Sequence, residues 1–417
     1  MNIEPAEKIS GIAEIPGDKS ITHRAVMFNA AADGKAKITR ALVGEDCLST
    51  VSCMKALGAK IEREGETITV EGSPEFKNNA LCDCGNSGTT MRLLCGLIAG
   101  KGVRATLTGD ASLSTRPMRR VAEPLALLGA NVRTTDGTAP LTVEPAPLHG
   151  CIVETGVASA QVKSAILLAG LGASGETIVR EPEKSRDHSE RLLSAMGADI
   201  FVHQNAVRIR KSRLHCVDVD VPADISSAAY FLALGALKGE IVCPRVGVNP
   251  TRTGILTAFD RLGVIYTLQN ERLVCGEPVA DIVVKKSAMR AITLSKEIMP
   301  ALIDEIPVIA LLCAFAEGES VISGAQELKV KESDRIATTA EMIAALGGDI
   351  RATDDGFVIR GKSKLQGGKV RSYGDHRIAM TAAIGLAASE NGGAIEGAEC
   401  VNISFPDFYR RLAGLGN

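Results

Sequence analysis

The fold is decided by residues 161–210, which read QVKSAILLAGLGASGETIVREPEKSRDHSERLLSAMGADIFVHQNAVRIR. An apolar helical segment comes first, and Gly175 then opens a short β-like run. A second helical segment ends at Met196-Gly197, where glycine suits the left-handed position that follows a helix. The alternating residues after it, with a polar turn between them, predict a β-hairpin. The stretch therefore predicts one unit of helix, strand, helix and two strands.

The same unit recurs six times along the 417 residues. An apolar residue and a glycine end the second helix at Leu57-Gly58, Leu128-Gly129, Met196-Gly197, Leu262-Gly263, Leu346-Gly347 and Leu415-Gly416. A second series opens the β-like runs at Gly34, Gly102, Gly175, Gly239, Gly318 and Gly393. The first helices are apolar nearly all round and should be buried, whereas the second ones are amphipathic and should lie outside. Repetition at this spacing indicates stacked supersecondary units.

The two ends of the chain decide how the units group into domains. The sixth unit lacks its hairpin because the chain ends at Asn417, and the N-terminal stretch NIEPAEKISGIAEIPG is a spare pair of strands. We expect the N-terminal strands to complete the last unit. This predicts a continuous domain of three units at 18–222 and a discontinuous one at 1–17 plus 223–417. The fold class is α/β, or α+β by some schemes.

Composition excludes several classes of function. The net charge is −2, aromatic residues make up 3% of the chain and Trp is absent. A protein that binds nucleic acid or an anionic membrane would need a basic field or stacking platforms. The eleven Cys include no CxxC pair, and no nucleotide or HExxH motif occurs, so we expect no metal and no cofactor. With no apparent signal segment and no apolar run of about 20 residues, the sequence predicts a soluble, cytoplasmic protein.

The six apolar helices share a polar N-terminal end. These ends are at Asp18-Lys19-Ser20, Asn86–Thr90, Ser159-Ala160-Gln161, Asp224–Ser227, Asp304-Glu305 and Asp375-His376-Arg377. Each residue alone is most simply a helix cap, and we assign only that role, or a hinge, to Asp224 and Ser226. Because helix N-termini attract phosphate and carboxylate, six ends in register predict an active site for anions in the cleft between the domains.

Charged residues follow the same segments. The cations are Lys19, Arg24, Arg92, Arg116, Lys163, Arg186, Lys331, Arg335 and Arg377. A cation at the entry to a buried helix needs a partner, and two anionic substrates would supply it. Lys331 and Arg335 are one helical turn apart and should share a face. Burial should raise the pKa of Asp304, whereas cations should hold Glu332 ionised or poised, a pattern typical of an acid–base pair.

Several distinctive motifs are spread along the whole chain. They are PGDKSITHRA (16–25), GNSGTTMRLL (85–94), ASLSTRPMRR (111–120), SAQVKSAILLAG (159–170), VKESDR (330–335) and GDHRIAM (374–380). Together they resemble the EPSP synthase (3-phosphoshikimate 1-carboxyvinyltransferase) family. The resemblance implies two inside-out α/β domains, each of three βαβαββ units. It also implies transfer of the enolpyruvyl group of phosphoenolpyruvate to the 5-hydroxyl of shikimate-3-phosphate, by addition and elimination through a tetrahedral intermediate.

The resemblance also implies roles for individual residues. The catalytic residues would be Asp304 as base for the 5-hydroxyl, Glu332 at the methylene carbon, and Lys19, Lys331 and His376 in support. Shikimate-3-phosphate would contact Lys19, Ser20, Arg24, Ser159, Gln161, Ser185, Asp304 and Lys331. Phosphoenolpyruvate would contact Lys19, Gly88, Arg116, Gln161, Arg335 and Arg377. The family implies no cofactor and no macromolecular partner, and we expect a monomer.

Three positions depart from the family pattern. Ile403 replaces a common lysine, Ala160 replaces a serine and Leu93 replaces a proline.

Three alternative functions remain open. The nearest alternative is the enolpyruvyl transferase that acts on UDP-N-acetylglucosamine, which has Lys-Asn in place of Lys19-Ser20 and a loop Cys that is absent from 109–118. The others are an RNA 3′-phosphate cyclase, disfavoured by the acidic net charge, and a binding protein without activity. Gly88 is the small residue that leaves room for glyphosate in the family.

Overall fold

Helices and strands alternate along the chain in the computed structural model, which describes residues 1–73 and 75–415. The chain divides into two units. The central unit consists of Gly17–Val221 and Val274–Glu277, and the terminal unit of Met1–Pro16, Pro222–Leu273 and Pro278–Asn417. The sequence predicts both crossings one residue later and does not separate 274–277 from the terminal unit.

Inner and outer helices alternate in each unit. The central unit contains α1 (Lys19–Ala30), α2 (Glu45–Ala56), α3 (Gly88–Lys101), α4 (Arg119–Leu127), α5 (Ala160–Gly170) and α6 (His188–Ala195). The terminal unit contains α7 (Ile225–Lys238), α8 (Gly254–Leu262), α9 (Met299–Leu302), α10 (Ile306–Phe315), α11 (Arg335–Ala345), α12 (His376–Ala388) and α13 (Phe408–Ala413). Short 3₁₀ helices span Leu113–Thr115, Lys296–Ile298, Gln326–Val330 and Ala398–Ile403. The predicted inner helices are α1, α3, α5, α7, α10 and α12; α10, for example, is buried from its first residue to Ala314.

Glycines end the outer helices as the sequence predicts. Five of them have φ between 82° and 110°, namely Gly58, Gly129, Gly197, Gly263 and Gly347. In four of these helices the glycine directly follows the C-terminal cap residue, and in α8 Gly263 is itself the cap. Glycine is favoured there because a side chain makes the left-handed conformation costly. The last glycine of the series, Gly416, lies outside the described residues.

Each sheet of the central unit repeats one strand order. One strand pairs in parallel with the strand after the inner helix, and the hairpin then adds two antiparallel strands. The first sheet is Val219–Asp220, Lys35–Thr39, Thr67–Glu71 and Lys60–Glu64. The second is Ala80–Asp83, Ala105–Thr108, Thr138–Glu144 and Asn131–Thr135. The third is Ile152–Glu154, Glu176–Arg180, Ala206–Arg210 and Ile200–His203.

The sheets of the terminal unit follow the same plan, except that the last has three strands among the described residues. The first is Ile9–Ile12, Gly239–Gly247, Glu277–Lys285 and Ile265–Val274. The second is Thr293–Leu294, Glu319–Ile322, Phe357–Arg360 and Asp349–Ala352. The third is Gly368–Arg371, Gly393–Glu396 and Asn2–Ile3. The predicted α/β class with repeated βαβαββ units is therefore confirmed.

The N-terminal strands join two different sheets. Asn2–Ile3 pairs with Gly393–Glu396 and so completes the last unit, as predicted. Ile9–Ile12 instead pairs in parallel with Gly239–Gly247, so the prediction was wrong for the second strand. The alternating pattern predicts a strand, but the unpaired edge of a distant sheet decides which strand it meets.

Small residues let the inner helices pack closely. A Cβ atom on Gly96 of α3 would lie 1.9 Å from the carbonyl oxygen of Ala165 in α5. This close backbone approach brings α3 and α5 together, beside a core cluster built largely from aliphatic side chains. The terminal unit adds one aromatic cluster, in which the rings of Phe231, Phe405 and Phe408 lie 5.5–5.9 Å apart.

No single helix in the described residues is long and apolar enough to cross a membrane. One bent pair of helices, Lys296–Leu302 with Ile306–Phe315, has the length and composition of a membrane span, and no other feature of the described residues indicates one.

Candidate active site

Side chains cap five of the six inner helices at their N-terminal ends. The cap residues Asp18, Ser87, Ser159, Asp224 and Asp375 each accept a hydrogen bond from a backbone N–H of the first turn. The sixth inner helix, α10, begins after Glu305, which makes no such bond. The capping role predicted for each residue alone is therefore confirmed at five helices, and α10 is the exception. Asp304 lies just before that cap residue, two residues before the helix begins.

Lys19 and Arg24 of α1 are both held by neighbouring helices of the central unit. The Lys19 Nζ atom lies 2.7 Å from Asp46 Oδ2. Arg24 is buried, and its Nε and NH2 donate to the hydroxyls of Ser189 and Ser164 at 2.7 and 3.0 Å. Burial lowers the pKa of Arg24 to about 10, which leaves the guanidinium charged at neutral pH. Arg24 therefore anchors α1 as well as placing a positive charge beside Ser20, whose carbonyl accepts from NH1 at 3.0 Å.

Two guanidinium groups flank Gly88, the first residue of α3. A Cβ atom built on Gly88 would lie 3.4 Å from NH1 of Arg92 and 3.4 Å from NH1 of Arg116. Arg116 is oriented by Asn86, whose Oδ1 accepts from its NH2 at 2.8 Å. The absence of a side chain at Gly88 therefore leaves space between two positive charges at a helix N-terminus, which suits an anion.

Arg92 was not among the predicted substrate ligands. Its NH1 donates to Gln161 Oε1 at 2.6 Å, and Gln161 Nε2 donates to the Thr89 hydroxyl at 2.9 Å. Arg92 thus holds the one glutamine that the family resemblance assigns to both substrates. Its spacing of four residues from Gly88 was the available signal, because residues i and i+4 lie on one helix face.

Lys163 already has two partners within the central unit. Its Nζ lies 2.8 Å from Glu181 Oε2 and 2.8 Å from Glu190 Oε1, and all three side chains are at most 3% exposed. Although burial lowers the pKa of Lys163, the two carboxylates raise it, so the ammonium stays charged. The expectation that an anionic substrate supplies its partner is wrong, because two buried carboxylates do so.

Ser159 and Ser185, the predicted serine ligands outside α1, differ in their surroundings. The Ser159 hydroxyl accepts from the Val162 N–H at 3.5 Å as the cap of α5. Ser185 is 3% exposed, and its hydroxyl oxygen has no hydrogen-bond partner within the described residues. A buried hydroxyl without a partner is costly, so Ser185 is suited to bind a polar ligand.

Three cations surround Asp304 in the terminal unit. The distances from its carboxylate oxygens are 3.5 Å to Arg335 NH1, 3.8 Å to Lys331 Nζ and 3.9 Å to Arg377 NH2. The Asp304 side chain is 14% exposed. The sequence-based expectation considered only burial, whereas these three charges oppose burial by favouring the ionised form.

Arg335 connects Asp304 to two further carboxylates. Its Nε donates to Asp375 Oδ2 at 2.8 Å, and its NH2 contacts Glu332. Although burial lowers the pKa of Arg335, Asp375 and Glu332 raise it. Burial likewise raises the pKa of Asp375, but Arg335 lowers it overall. Arg335 is therefore a charged, fully buried centre of this cluster.

Lys331 and Arg335 do not share a helix face, so that prediction was wrong. Helix α11 begins at Arg335 with Asp334 as its cap, and Lys331 precedes it in extended backbone. The Asp334 carboxylate accepts from two backbone N–H groups of the first turn, and this bonding starts the helix later than the sequence pattern indicates. Both cations nevertheless reach Asp304.

The first two residues of α12 are His376 and Arg377. His376 is 2% exposed, and Arg377 has a side chain that is 12% exposed. Burial lowers the pKa of Arg377, but Asp304 and the other acidic groups near it raise it well above its usual range. The structure thus brings Asp304, Glu332, Lys331, Arg335 and Arg377 together.

Asp224, Ser226 and Ile403 have structural positions in the terminal unit. Asp224 and Ser226 at the start of α7 bind the buried Arg252, whose NH2 lies 3.2 Å from Asp224 Oδ1 and 2.7 Å from Ser226 Oγ. Ile403, which replaces a lysine of the family pattern, ends the 3₁₀ helix Ala398–Ile403. No group of three or more His, Cys, Asp or Glu side chains in the described residues could hold a metal ion.

Comparison with known proteins gives one family. The sequence model of EPSP synthase (3-phosphoshikimate 1-carboxyvinyltransferase) matches residues 3–412. The 3-phosphoshikimate 1-carboxyvinyltransferase of Syntrophomonas wolfei is 46% identical over 97% of this chain and 96% of its own. That of Desulforudis audaxviator is 48% identical over 100% and 99%, respectively.

Solved structures agree with the sequence relatives. The EPSP synthase of Acinetobacter baumannii superposes with a TM-score of 0.89 at 40% identity, over 100% of this chain and 98% of that chain. The enolpyruvyl transferase NikO of Streptomyces tendae superposes with a TM-score of 0.80 at 20% identity, over 100% and 97%. The second likeness concerns the fold alone.

Proposed function

The chain belongs to the EPSP synthase (3-phosphoshikimate 1-carboxyvinyltransferase) family, and we propose that it transfers the enolpyruvyl group of phosphoenolpyruvate to the 5-hydroxyl of shikimate-3-phosphate. The products are the enolpyruvyl ether and phosphate, and the reaction serves aromatic amino acid biosynthesis. The observation that carries the assignment to particular residues is the carboxylate of Asp304 among Lys331, Arg335 and Arg377. Such a group can accept a proton while cations hold the anionic substrates.

The proposed mechanism has an addition step and an elimination step. In the addition, Asp304 accepts the proton of the 5-hydroxyl, whose oxygen attacks C2 of phosphoenolpyruvate while Glu332 gives a proton to C3. The product is a tetrahedral intermediate that carries a new methyl group. In the elimination, Glu332 takes a proton back from that methyl group, the bond from C2 to the phosphate oxygen breaks, and the double bond forms again. The leaving phosphate takes the proton that Asp304 holds. The cations stabilise the phosphate as it leaves.

The proposal assigns residues of both units to this reaction. For phosphoenolpyruvate they are Lys19, Gly88, Arg116, Gln161, Arg335 and Arg377. For shikimate-3-phosphate they are Lys19, Ser20, Arg24, Ser159, Gln161, Ser185, Asp304 and Lys331. His376 supports the site from the start of α12. The absence of a side chain at Gly88, between Arg92 and Arg116, and the buried Ser185 hydroxyl support these assignments. We further propose that the protein acts as a cytoplasmic monomer, which equilibrium sedimentation and cell fractionation would test.

The reaction is tested by phosphate release from the purified protein with phosphoenolpyruvate and shikimate-3-phosphate. A parallel reaction replaces the shikimate ester with UDP-N-acetylglucosamine. Release with the ester alone is expected. Release with the sugar nucleotide alone would contradict the acceptor assignment, and release with neither would contradict enzymatic activity.

Replacing Gly88 by Ala is expected to raise KM for phosphoenolpyruvate by about 10-fold or more, because a misplaced methyl group in a fitted pocket costs about 1–3 kcal/mol. The added Cβ would meet the ends of two arginine side chains, at 3.4 Å each, and Leu113 Cδ1 at an ordinary contact distance of 3.7 Å, so the fold should be kept. Steady-state kinetics with each substrate varied in turn measures the effect.

The contrasting variant is Gly96→Ala in the same helix. Its Cβ would lie 1.9 Å from a backbone oxygen, and we expect it to lower the melting temperature strongly. An unchanged KM for phosphoenolpyruvate in Gly88→Ala would mean that Gly88 does not line the pocket.

A further inference from the structure

Four hydrogen-bonded side chains form a continuous polar chain inside the central unit. His23 Nδ1 lies 2.6 Å from the Thr50 hydroxyl, Thr50 lies 2.6 Å from the Thr90 hydroxyl, and Thr90 donates to Ser87 at 2.7 Å. All four residues are fully buried or nearly so, at 0% exposure. The chain therefore connects α1, α2 and α3, all of which contribute residues to the hydrophobic core of the central unit.

Two side-chain contacts at matching positions connect α1 and α2. Lys19 binds Asp46 and His23 binds Thr50, and in both pairs the partners are 27 residues apart. The two contacts are four residues apart on each helix, which is about one helical turn. The His23–Thr50 contact lies in the core, whereas the Lys19 side chain in the Lys19–Asp46 contact is 20% exposed. The two contacts thus define how α1 is aligned against α2.

The direction of the hydrogen bonds follows from the last link. Because Thr90 gives its proton to Ser87, its oxygen accepts from Thr50, and Thr50 accepts from His23. His23 then carries a proton on Nδ1, and because its pKa is lowered to about 3, the ring is neutral near pH 7. Burial lowers the pKa of His23 to about 3, and nearby Lys19 and Arg24 act in the same direction while Asp46 opposes them.

The far end of the chain is the cap of α3. The Ser87 hydroxyl accepts from the backbone N–H of Thr90 at 3.2 Å, and the next residue is Gly88, which lies between the two guanidinium groups. We propose that His23, Thr50, Thr90 and Ser87 are positioning residues that hold the first turn of α3 at the phosphoenolpyruvate site. This inference rests on the function proposed above.

The test uses Thr50→Val in the full-length protein, which removes the hydroxyl at nearly constant shape. We expect kcat/KM for phosphoenolpyruvate to fall about tenfold, equivalent to about 1.4 kcal/mol, and KM for shikimate-3-phosphate to stay within about twofold. Thr50→Ser keeps the hydroxyl and should restore most of the loss.

The matched control is Thr177→Val in the same unit. Thr177 is also 0% exposed, but its hydroxyl has no hydrogen-bond partner within the described residues. Equal kinetics in Thr50→Val and Thr177→Val, with both proteins folded by circular dichroism, would overturn the inference. If the unmodified protein does not turn over the two substrates, the proposed function fails instead.

A spectroscopic measurement covers the case in which Thr50→Val does not fold. In the ¹⁵N-histidine-labelled protein, His23 should show the neutral Nδ1–H tautomer from about pH 5 to about pH 8. His23→Gln identifies its signals. Adding inorganic phosphate to the complex with shikimate-3-phosphate, a pair that cannot react, should shift the His23 signals more than those of the exposed His203. A titrating His23, the other tautomer or no shift would overturn the inference.

Discussion

Replacing Asp304 by Asn is expected to lower kcat by about 100-fold to 10,000-fold, the usual contribution of a general base. Asn has nearly the same shape and still forms hydrogen bonds, but it cannot accept the proton of the 5-hydroxyl. It also leaves Lys331, Arg335 and Arg377 without the carboxylate that lies 3.5–3.9 Å from them. Substrate binding should change less than turnover, because those cations remain in place to hold anions.

Phosphate release with saturating substrates measures the effect on kcat. The matched control is Asp349→Asn, an exposed carboxylate of the same unit at the start of the strand Asp349–Ala352, and it should keep full activity. Thermal melting of both variants shows whether the fold is retained. If Asp304→Asn is folded and turns over at nearly the normal rate, another group is the base.

Replacing Lys163 by Met is expected to lower the free energy of unfolding by about 3–5 kcal/mol, the usual cost of removing one partner from a buried ion pair. The change leaves Glu181 and Glu190 together, with side chains 2% and 3% exposed and no cation at 2.8 Å. Urea unfolding of the purified variant measures the loss. The exposed Lys184, 3.8 Å from Asp187, offers a matched control, Lys184→Met, with an expected change below about 1 kcal/mol.

The loss in Lys163→Met should depend on pH. Without the lysine, the two buried carboxylates would have a folded-state pKa above the unfolded value. The native variant then binds more protons than the unfolded chain, so its stability falls as the pH rises through that range. The free energy of unfolding that the variant loses relative to the unmodified protein should be smaller near pH 5 than near pH 8. Adding Glu190→Gln to Lys163→Met should recover part of it at neutral pH, and a deficit that is equal at both pH values would contradict this explanation.

Local chemistry explains why much of the fold was predictable. Glycines such as Gly129 and Gly197 occupy left-handed positions directly after a helix, and caps such as Asp18 and Ser87 bind a backbone N–H three residues away. These interactions depend on neighbours in the sequence, so a reader of the sequence can recognise them. The same reasoning failed at Lys331, because the nearby cap Asp334 starts α11 after it.

The sequence by itself determined the repeated unit, the glycine and cap positions, the fold class and, through its motifs, the family to which the chain belongs. Only the tertiary structure decided which charges meet. It brings Asp304, which precedes α10, together with Arg377 of α12, and it pairs Lys163 with two carboxylates instead of leaving it for a substrate. It also determines that Ile9–Ile12 pairs with the strand Gly239–Gly247, more than 200 residues away along the chain. The physical reason is that local conformation depends on adjacent residues, whereas charge pairing and strand partners depend on groups that only chain packing brings within a few ångströms.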